Sequence, residues 1–255
     1  MIPNTCVIPA AGMGTRWAPI SSYFPKEMLP LGNKPVIEIV INEIVASGIH
    51  NIIVVINKKK DIIKKYFQEN KTFIPKTNLY FVYQKKPAGL ADVILLCRPL
   101  IKQTAFCMAL PDLPTLSPVP AIKQLIGVYS QGHQKQHLVS FAKFPRESRH
   151  LYGECKVSKS MEIIHFCPKQ QSLKPHHPAF IFRMSGRYIF QESIFDAAQK
   201  TIKNNPNEIN ERMVLELSLS EGVPSLCVPI SGKTFDTGYP AGYATANNLF
   251  SSRDR

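Results

Sequence analysis

Acidic side chains are scarce in this chain. Eighteen Asp and Glu stand against 31 Lys and Arg, for a formal net charge of +13 at pH 7. Long apolar runs are missing too: no stretch of about eighteen apolar residues occurs, which excludes a membrane-spanning helix. The start carries no signal-peptide pattern, because Pro9 and Gly12 interrupt its apolar segment. The six cysteines, Cys6, Cys97, Cys107, Cys155, Cys167 and Cys227, form no Cys-x-x-Cys pair. Scattered in this way they read as reduced thiols of a cytoplasmic protein rather than a disulfide framework. His176 and His177 are adjacent, not spaced i, i+4 as a helical metal pair would be, and no cysteine stands at zinc-ligand spacing from them. There is no Walker loop, no dinucleotide fingerprint, no tandem repeat and no low-complexity tract.

The surplus of positive charge would suit a nucleic acid or a membrane surface. The basic residues are spread out, however, and neither an RNA-binding aromatic signature nor a helix-turn-helix is present. The densest run, Lys58-Lys59-Lys60 with Lys64-Lys65, reads as a solvated face beside a helix. Small anionic substrates and a generally basic surface are the expectation.

What is present starts with a short apolar strand, Cys6 to Ile8, that runs into Pro9-Ala10-Ala11-Gly12-Met13-Gly14-Thr15-Arg16. Gly12 and Gly14 lack side chains, so backbone N–H groups there can approach a phosphate closely. Arg16 adds a planar, permanently charged fork, and Lys26 a second, point-like cation. Two cations beside a glycine turn suit a polyphosphate better than a neutral ligand.

The first half alternates strands with helices. Strands are expected at Ile52–Ile56, Leu79–Tyr83 and Ala105–Leu110, and helices at Pro35–Ser47, Asp61–Gln68, from Gly89 to Cys97, and Pro120–Tyr129. This order argues for an α/β fold, an open, mostly parallel sheet with crossover helices. The second half is less regular. Strands are expected at His137–Ala142, Glu154–Val157, Glu162–Phe166, Ala179–Phe182, Leu226–Pro229 and Lys233–Phe235, and helices at Gln191–Lys203 and Glu211–Glu221. In open α/β sheets ligands sit beyond the carboxyl ends of the strands. The glycine turn, Gln84 with Gly89, and Asp112 all fall at such ends.

The string Pro9-Ala10-Ala11-Gly12-x-Gly14-Thr15-Arg16, followed by Pro25-Lys26-Glu27-Met28-Leu29-Pro30, resembles the bacterial UTP–glucose-1-phosphate uridylyltransferases. The likeness runs from about Thr5 to Leu249. It implies a Rossmann-like nucleotidyltransferase (nucleotide-diphospho-sugar transferase) fold, with residues 1–255 as one domain. About 1–135 would form the nucleotide-binding half and about 136–255 the sugar-binding half. It implies uridylyl transfer from UTP to a hexose-1-phosphate with Mg2+, with Arg16 and Lys26 as the catalytic cations. Ala10, Ala11, Gly12, Gly14, Thr15, Gln84 and Gly89 would bind the nucleotide, Gln84 and Gly89 reading the uracil. Glu27, Asp112, Gly153 and Lys169 would face the sugar phosphate. Asp112 and Asp236 would hold the metal. Tyr152-Gly153, Ser185-Gly186-Arg187-Tyr188-Ile189, read as a helix start, and Glu208-Ile209-Asn210 match further family segments.

Departures cluster on the same site. Ser22 stands where the family has lysine, Gly89-Leu90-Ala91-Asp92 where it has Gly-Leu-Gly-His, and Leu113 where it has a second aspartate. Phe166-Cys167-Pro168 replaces a Glu-Lys-Pro motif that binds the glucose hydroxyls and phosphate, with Lys169 or Lys174 as substitutes for the lost cation. A catalytically weakened paralogue that senses nucleotide is therefore a second reading. The chain ends soon after Leu249, short of a common helical extension, which leaves a homo-oligomer open.

Overall fold

The computed structural model describes residues 2–70, 77–86, 88–145, 155–167, 180–205 and 209–252. In chain order the elements are β1 (Thr5–Pro9), β2 (Pro30–Leu31), β3 (Lys34–Pro35), α1 (Val36–Ala46), β4 (Asn51–Ile56), α2 (Asp61–Glu69) and β5 (Asn78–Tyr83). There follow α3 (Leu90–Cys97), β6 (Ala105–Ala109), β7 (Thr115–Leu116), α4 (Ala121–Ser130), β8 (His137–Pro145), β9 (Cys155–Val157) and β10 (Ile163–Phe166). The last are β11 (Phe180–Gln191), α5 (Ile194–Asn204), α6 (Glu211–Ser220), β12 (Ser225–Pro229), β13 (Lys233–Thr234) and α7 (Pro240–Ser251).

Seven strands form one sheet in the order β12-β8-β11-β6-β1-β4-β5. β1 pairs parallel with β4 and β6, β4 with β5, and β12 with β8. Only β11 runs against its neighbours, β6 and β8. Strands buried on both faces read as continuous apolar runs, and β4 and β6 do so. Alternate residues serve opposite faces. Val7, Ile53, Val55, Phe106 and Met108 pack under α3, α5 and α6. Cys6, Ile8, Ile52, Val54 and Cys107 pack under α1 and α4. Helix α1 buries Val36, Ile37, Val40, Ile41 and Ile44 on one stripe, the i, i+3, i+4 pattern of an amphipathic helix.

Three sequence expectations change. Ser185–Ile189 does not start a helix; it is the middle of the twelve-residue β11. The register shifts between Met184 and Tyr188, and Gly186 has φ 78°, with no room for a β-carbon against Leu113. This polar, glycine-broken stretch hides a strand from a reading by periodicity. Lys60, expected on a solvated face, is only 6% exposed and bonds Glu27. Helix α7 carries a weak apolar stripe and was not anticipated.

His137 on β8 is fully buried. The Gln191 backbone N–H donates to its Nδ1 at 3.1 Å, which leaves the proton on Nε2, 2.9 Å from Ser218 Oγ. Burial pushes the imidazole pKa down to about 4. Unfolded histidine titrates near 6.5, so below that pH the unfolded state takes up a proton that the folded state refuses until about pH 4. Stability from this group is whole above about pH 6.5 and falls by about 3 kcal/mol as pH drops toward 4. Urea unfolding midpoints measured from pH 7 to 4.5 should fall, and should fall less steeply in His137→Gln.

Candidate active site

A cleft of about 470 Å³ opens at the carboxyl ends of β1, β5 and β6. Ala11, Gly12, Gly14, Thr15, Arg16, Lys26, Glu27, Gln84, Gly89 and Asp112 all line it. Ala10 does not; its side chain is buried in the core, and its N–H extends the β1 ladder to Val55 O. Gly153 and Lys169 lie outside the described residues, as do Tyr152, Pro168, Lys174, His176, His177 and Glu208.

The glycine turn is anchored from both sides. Asn57 Nδ2 donates to Ala11 O at 2.7 Å, and Trp17 Nε1 to Thr237 O at 2.9 Å. A β-carbon on Gly12 would meet nothing within 4 Å, so that backbone faces open space. Gly14 takes the left-handed conformation, φ 66°, which favours glycine.

Asp112 and Asp236 lie far apart in sequence and meet here. Thr237 donates to Asp112 O from both its N–H, at 2.9 Å, and its hydroxyl, at 3.0 Å. A point one bond above Gly238 Cα lies 2.8 Å from Asp236 Oδ1 and 2.9 Å from Asp112 Oδ2, so the two carboxylates converge. Each has its own cation. Lys26 Nζ is bonded to Asp112 Oδ2. Arg183 Nη2 donates to Asp236 Oδ2 at 3.1 Å while its guanidinium stacks 3.4 Å from the Phe144 ring centre.

The electrostatics follow. Burial works against both charges of the Lys26–Asp112 pair, but their mutual attraction wins: Lys26 is held above, and Asp112 below, its usual range. Asp236 goes the other way. Burial, then the nearby Asp112 charge, push its pKa up to about 7. Burial also lowers Arg183 to about 9. Glu27 is 1% exposed and holds Lys60 Nζ at 2.7 Å, so its carboxylate is engaged behind Lys26.

The loop bearing Asp112 is fixed by Arg187 of β11. Its Nη1 donates to Leu110 O at 3.2 Å and Gly186 O at 3.3 Å, and its Nη2 to Leu113 O at 3.0 Å. Its Nε and Nη2 grip both oxygens of Glu43, at 3.0 and 2.7 Å. Leu113 thus contributes a carbonyl to this clamp.

Sequence reasoning missed Trp17, Asn57, Arg183, Thr237 and Glu211. Trp17, Asn57 and Arg183 sit in no recognisable motif; Thr237 is the middle residue of Asp236-Thr237-Gly238, and Glu211 follows the Ile209-Asn210 marker. Glu211 lines the cleft at the start of α6, and burial holds its carboxyl above the usual range. Phe166 opens the segment that stands in place of Glu-Lys-Pro. It is 2% exposed within the core, and Arg212 donates to the carbonyls of Phe166 at 2.9 Å and Cys167 at 2.7 Å. Phe166→Glu would bury an unpaired carboxylate there rather than restore a sugar ligand.

A nucleotidyl transferase family model matches residues 5–253. The chain belongs to that family. Among its relatives is a UTP–glucose-1-phosphate uridylyltransferase of Staphylococcus haemolyticus (strain JCSC1435), 29% identical over 273 residues and covering 97% of this chain and 92% of the relative. A solved apo UDP-glucose pyrophosphorylase superposes with TM-score 0.85 at 26% identity, over 100% of both chains. A UDP-glucose pyrophosphorylase complexed with UDP-glucose gives TM-score 0.84 at 28% identity, over 99% of this chain and 100% of that one.

Gly89 tests the cleft wall. Its φ is 84°, and a β-carbon would lie 2.3 Å from Ile209 O and 2.4 Å from Ile209 N. The clash is with backbone and cannot be relieved by a rotamer. Gly89→Ala should weaken nucleotide binding at least tenfold, read by titration calorimetry with UDP, while the far-UV circular dichroism spectrum stays the same.

Proposed function

We propose that this chain transfers the uridylyl group of UTP to glucose-1-phosphate, giving UDP-glucose and pyrophosphate. The observation that carries the reading is the meeting of Lys26, Asp112 and Asp236 beside the glycine turn, in a nucleotidyl transferase that covers 92% of a relative named UTP–glucose-1-phosphate uridylyltransferase. In the reaction a phosphate oxygen of glucose-1-phosphate bonds to the α-phosphorus of UTP. The bond from that phosphorus to the bridging oxygen breaks, and the electron pair leaves on pyrophosphate. The nucleophile is already an anion, so no general base is needed. Catalysis is alignment plus neutralisation of charge.

Each half of the cleft takes a role. The open backbone at Gly12, with Gly14 and Thr15, cradles the triphosphate, and Arg16 and Lys26 offset its charge. Gln84 and Gly89 bound the uracil. Residues of about 136–255 close the sugar side within one domain. Asp112 and Asp236, two carboxylates brought together beside Gly238, are hard oxygen donors that suit Mg2+, a cation that keeps several waters and needs no all-protein cage. Asp112 and Asp236 would hold the ion, which supplies a positive charge against the phosphate oxygens. Cytoplasmic residence fits six free cysteines, four of them buried.

Pyrophosphate release from UTP, glucose-1-phosphate and Mg2+ tests the reading. Lys26→Ala and Asp112→Asn should each lower kcat by a hundredfold or more, since removing one such stabiliser costs about 3 kcal/mol. Near-normal release by both variants overturns the assignment. Tight UDP-glucose binding by wild type with no release of pyrophosphate favours the nucleotide-sensing paralogue instead.

A further inference from the structure

Gln84 stands at the end of β5, lines the cleft and is 5% exposed. Its amide has one acceptor, Oε1, and two hydrogens on Nε2. Nε2 donates to the Gly89 carbonyl at 3.1 Å and to Asp92 Oδ2 at 2.9 Å. A carbonyl and an ionised carboxylate are acceptors only. Turning the amide over would set Oε1 against both of them, losing two hydrogen bonds and adding two repulsions. The partners' chemistry therefore fixes which way the amide points. Both N–H bonds are committed, and Oε1 has no hydrogen-bond partner among the described residues.

Asp92 is the side-chain half of this fixing, the Gly89 carbonyl the backbone half. The Gly89 carbonyl alone engages one hydrogen; the carboxylate engages the second and adds a charge-assisted bond. Asp92 itself is half-buried on the first turn of α3 and reaches the cleft only through Gln84. It also stands at one of the departures from the family pattern described above.

We infer that Asp92 is a positioning residue for nucleobase choice: by holding Gln84 Nε2 it makes Gln84 offer an acceptor, which selects uracil over cytosine. This rests on the uridylyl-transfer reading of the cleft, with Gln84 against the base. Uracil carries a hydrogen on N3, which Oε1 accepts. Cytosine carries a lone pair on N3, which Oε1 repels. The two bases have the same ring size, and their nucleotides have the same sugar and phosphates, so the polarity of one amide is enough to separate them.

The test compares UDP and CDP binding to the full chain by titration calorimetry, alongside kcat/KM for UTP and CTP with glucose-1-phosphate. Wild type should favour UDP over CDP. In Asp92→Asn, whose own amide can offer either an acceptor or a donor, the Gln84 amide loses the charged one of the two groups that oppose its turning. The UDP:CDP affinity ratio should fall at least tenfold, in large part through tighter CDP binding. Asp92→Ala should shift the ratio the same way, and Asp92→Glu, which keeps an acceptor, should preserve most of it. Equal losses for both nucleotides in Asp92→Asn and Asp92→Ala, with the ratio unchanged, would give Asp92 a merely structural role and overturn the inference. A shifted binding ratio in a protein that releases no pyrophosphate with any nucleotide would uphold the inference and reject only the catalytic reading.

Discussion

The site depends on one buried arginine. Arg187 is fully enclosed, and all five of its N–H donors are used: two on the Glu43 carboxylate and three on the carbonyls of Leu110, Leu113 and Gly186. A guanidinium can do this because its donors form a planar fork; a lysine ammonium has three donors on one atom and cannot span the same partners. The consequence is geometric. Leu110 and Leu113 bracket Asp112, so the strand-end loop that carries this cleft-lining carboxylate is tied to helix α1 through Glu43. The chemistry of the cleft thus stands on the rigid part of the fold rather than on a free loop.

Around Asp112 the charges are balanced in pairs. Lys26 faces Asp112 and Arg183 faces Asp236, each pair largely removed from water. Buried charges persist when partnered; the Lys26–Asp112 pair holds its charges, while burial and the Asp112 charge push Asp236 toward its neutral form. A bound polyphosphate or a divalent cation changes that balance. Anionic oxygens draw on Lys26, and a cation draws on the carboxylates. Each of these groups has a side-chain partner.

Much of this was legible in the sequence, for identifiable reasons. β1, β4, β5 and β6 are apolar runs, and α1 has a clean stripe, so the parallel half of the sheet could be read directly. The glycine turn with Arg16 and Lys26 is local, and so are Gln84 with Gly89. What escaped depends on distance or on polarity inside the core. β11 is interrupted by Arg183, Ser185, Gly186 and Arg187, and periodicity cannot see a strand whose inward side chains are ionic. Lys60 looks like its solvated neighbours until Glu27 is known to lie beneath it. The burial of Phe166 depends on which way β10 turns its face, and four residues are too few to decide that. The meeting of Asp112 with Asp236 is a property of the whole fold.

The same Arg187 clamp has a meaning for the growing chain. Glu43 and Arg187 are 144 residues apart, so Glu43 and the strands β1, β4, β5 and β6 are synthesised well before their partner. Until β11 arrives, the Glu43 carboxylate has no guanidinium to oppose it in the core, and β6 presents an unpaired edge. Burying that lone charge is unfavourable, and an open edge of apolar strand is a template for association with other chains. The sheet of the amino-terminal half is therefore left with an uncovered edge until that strand is made. The strand that covers that edge comes from the last third of the molecule.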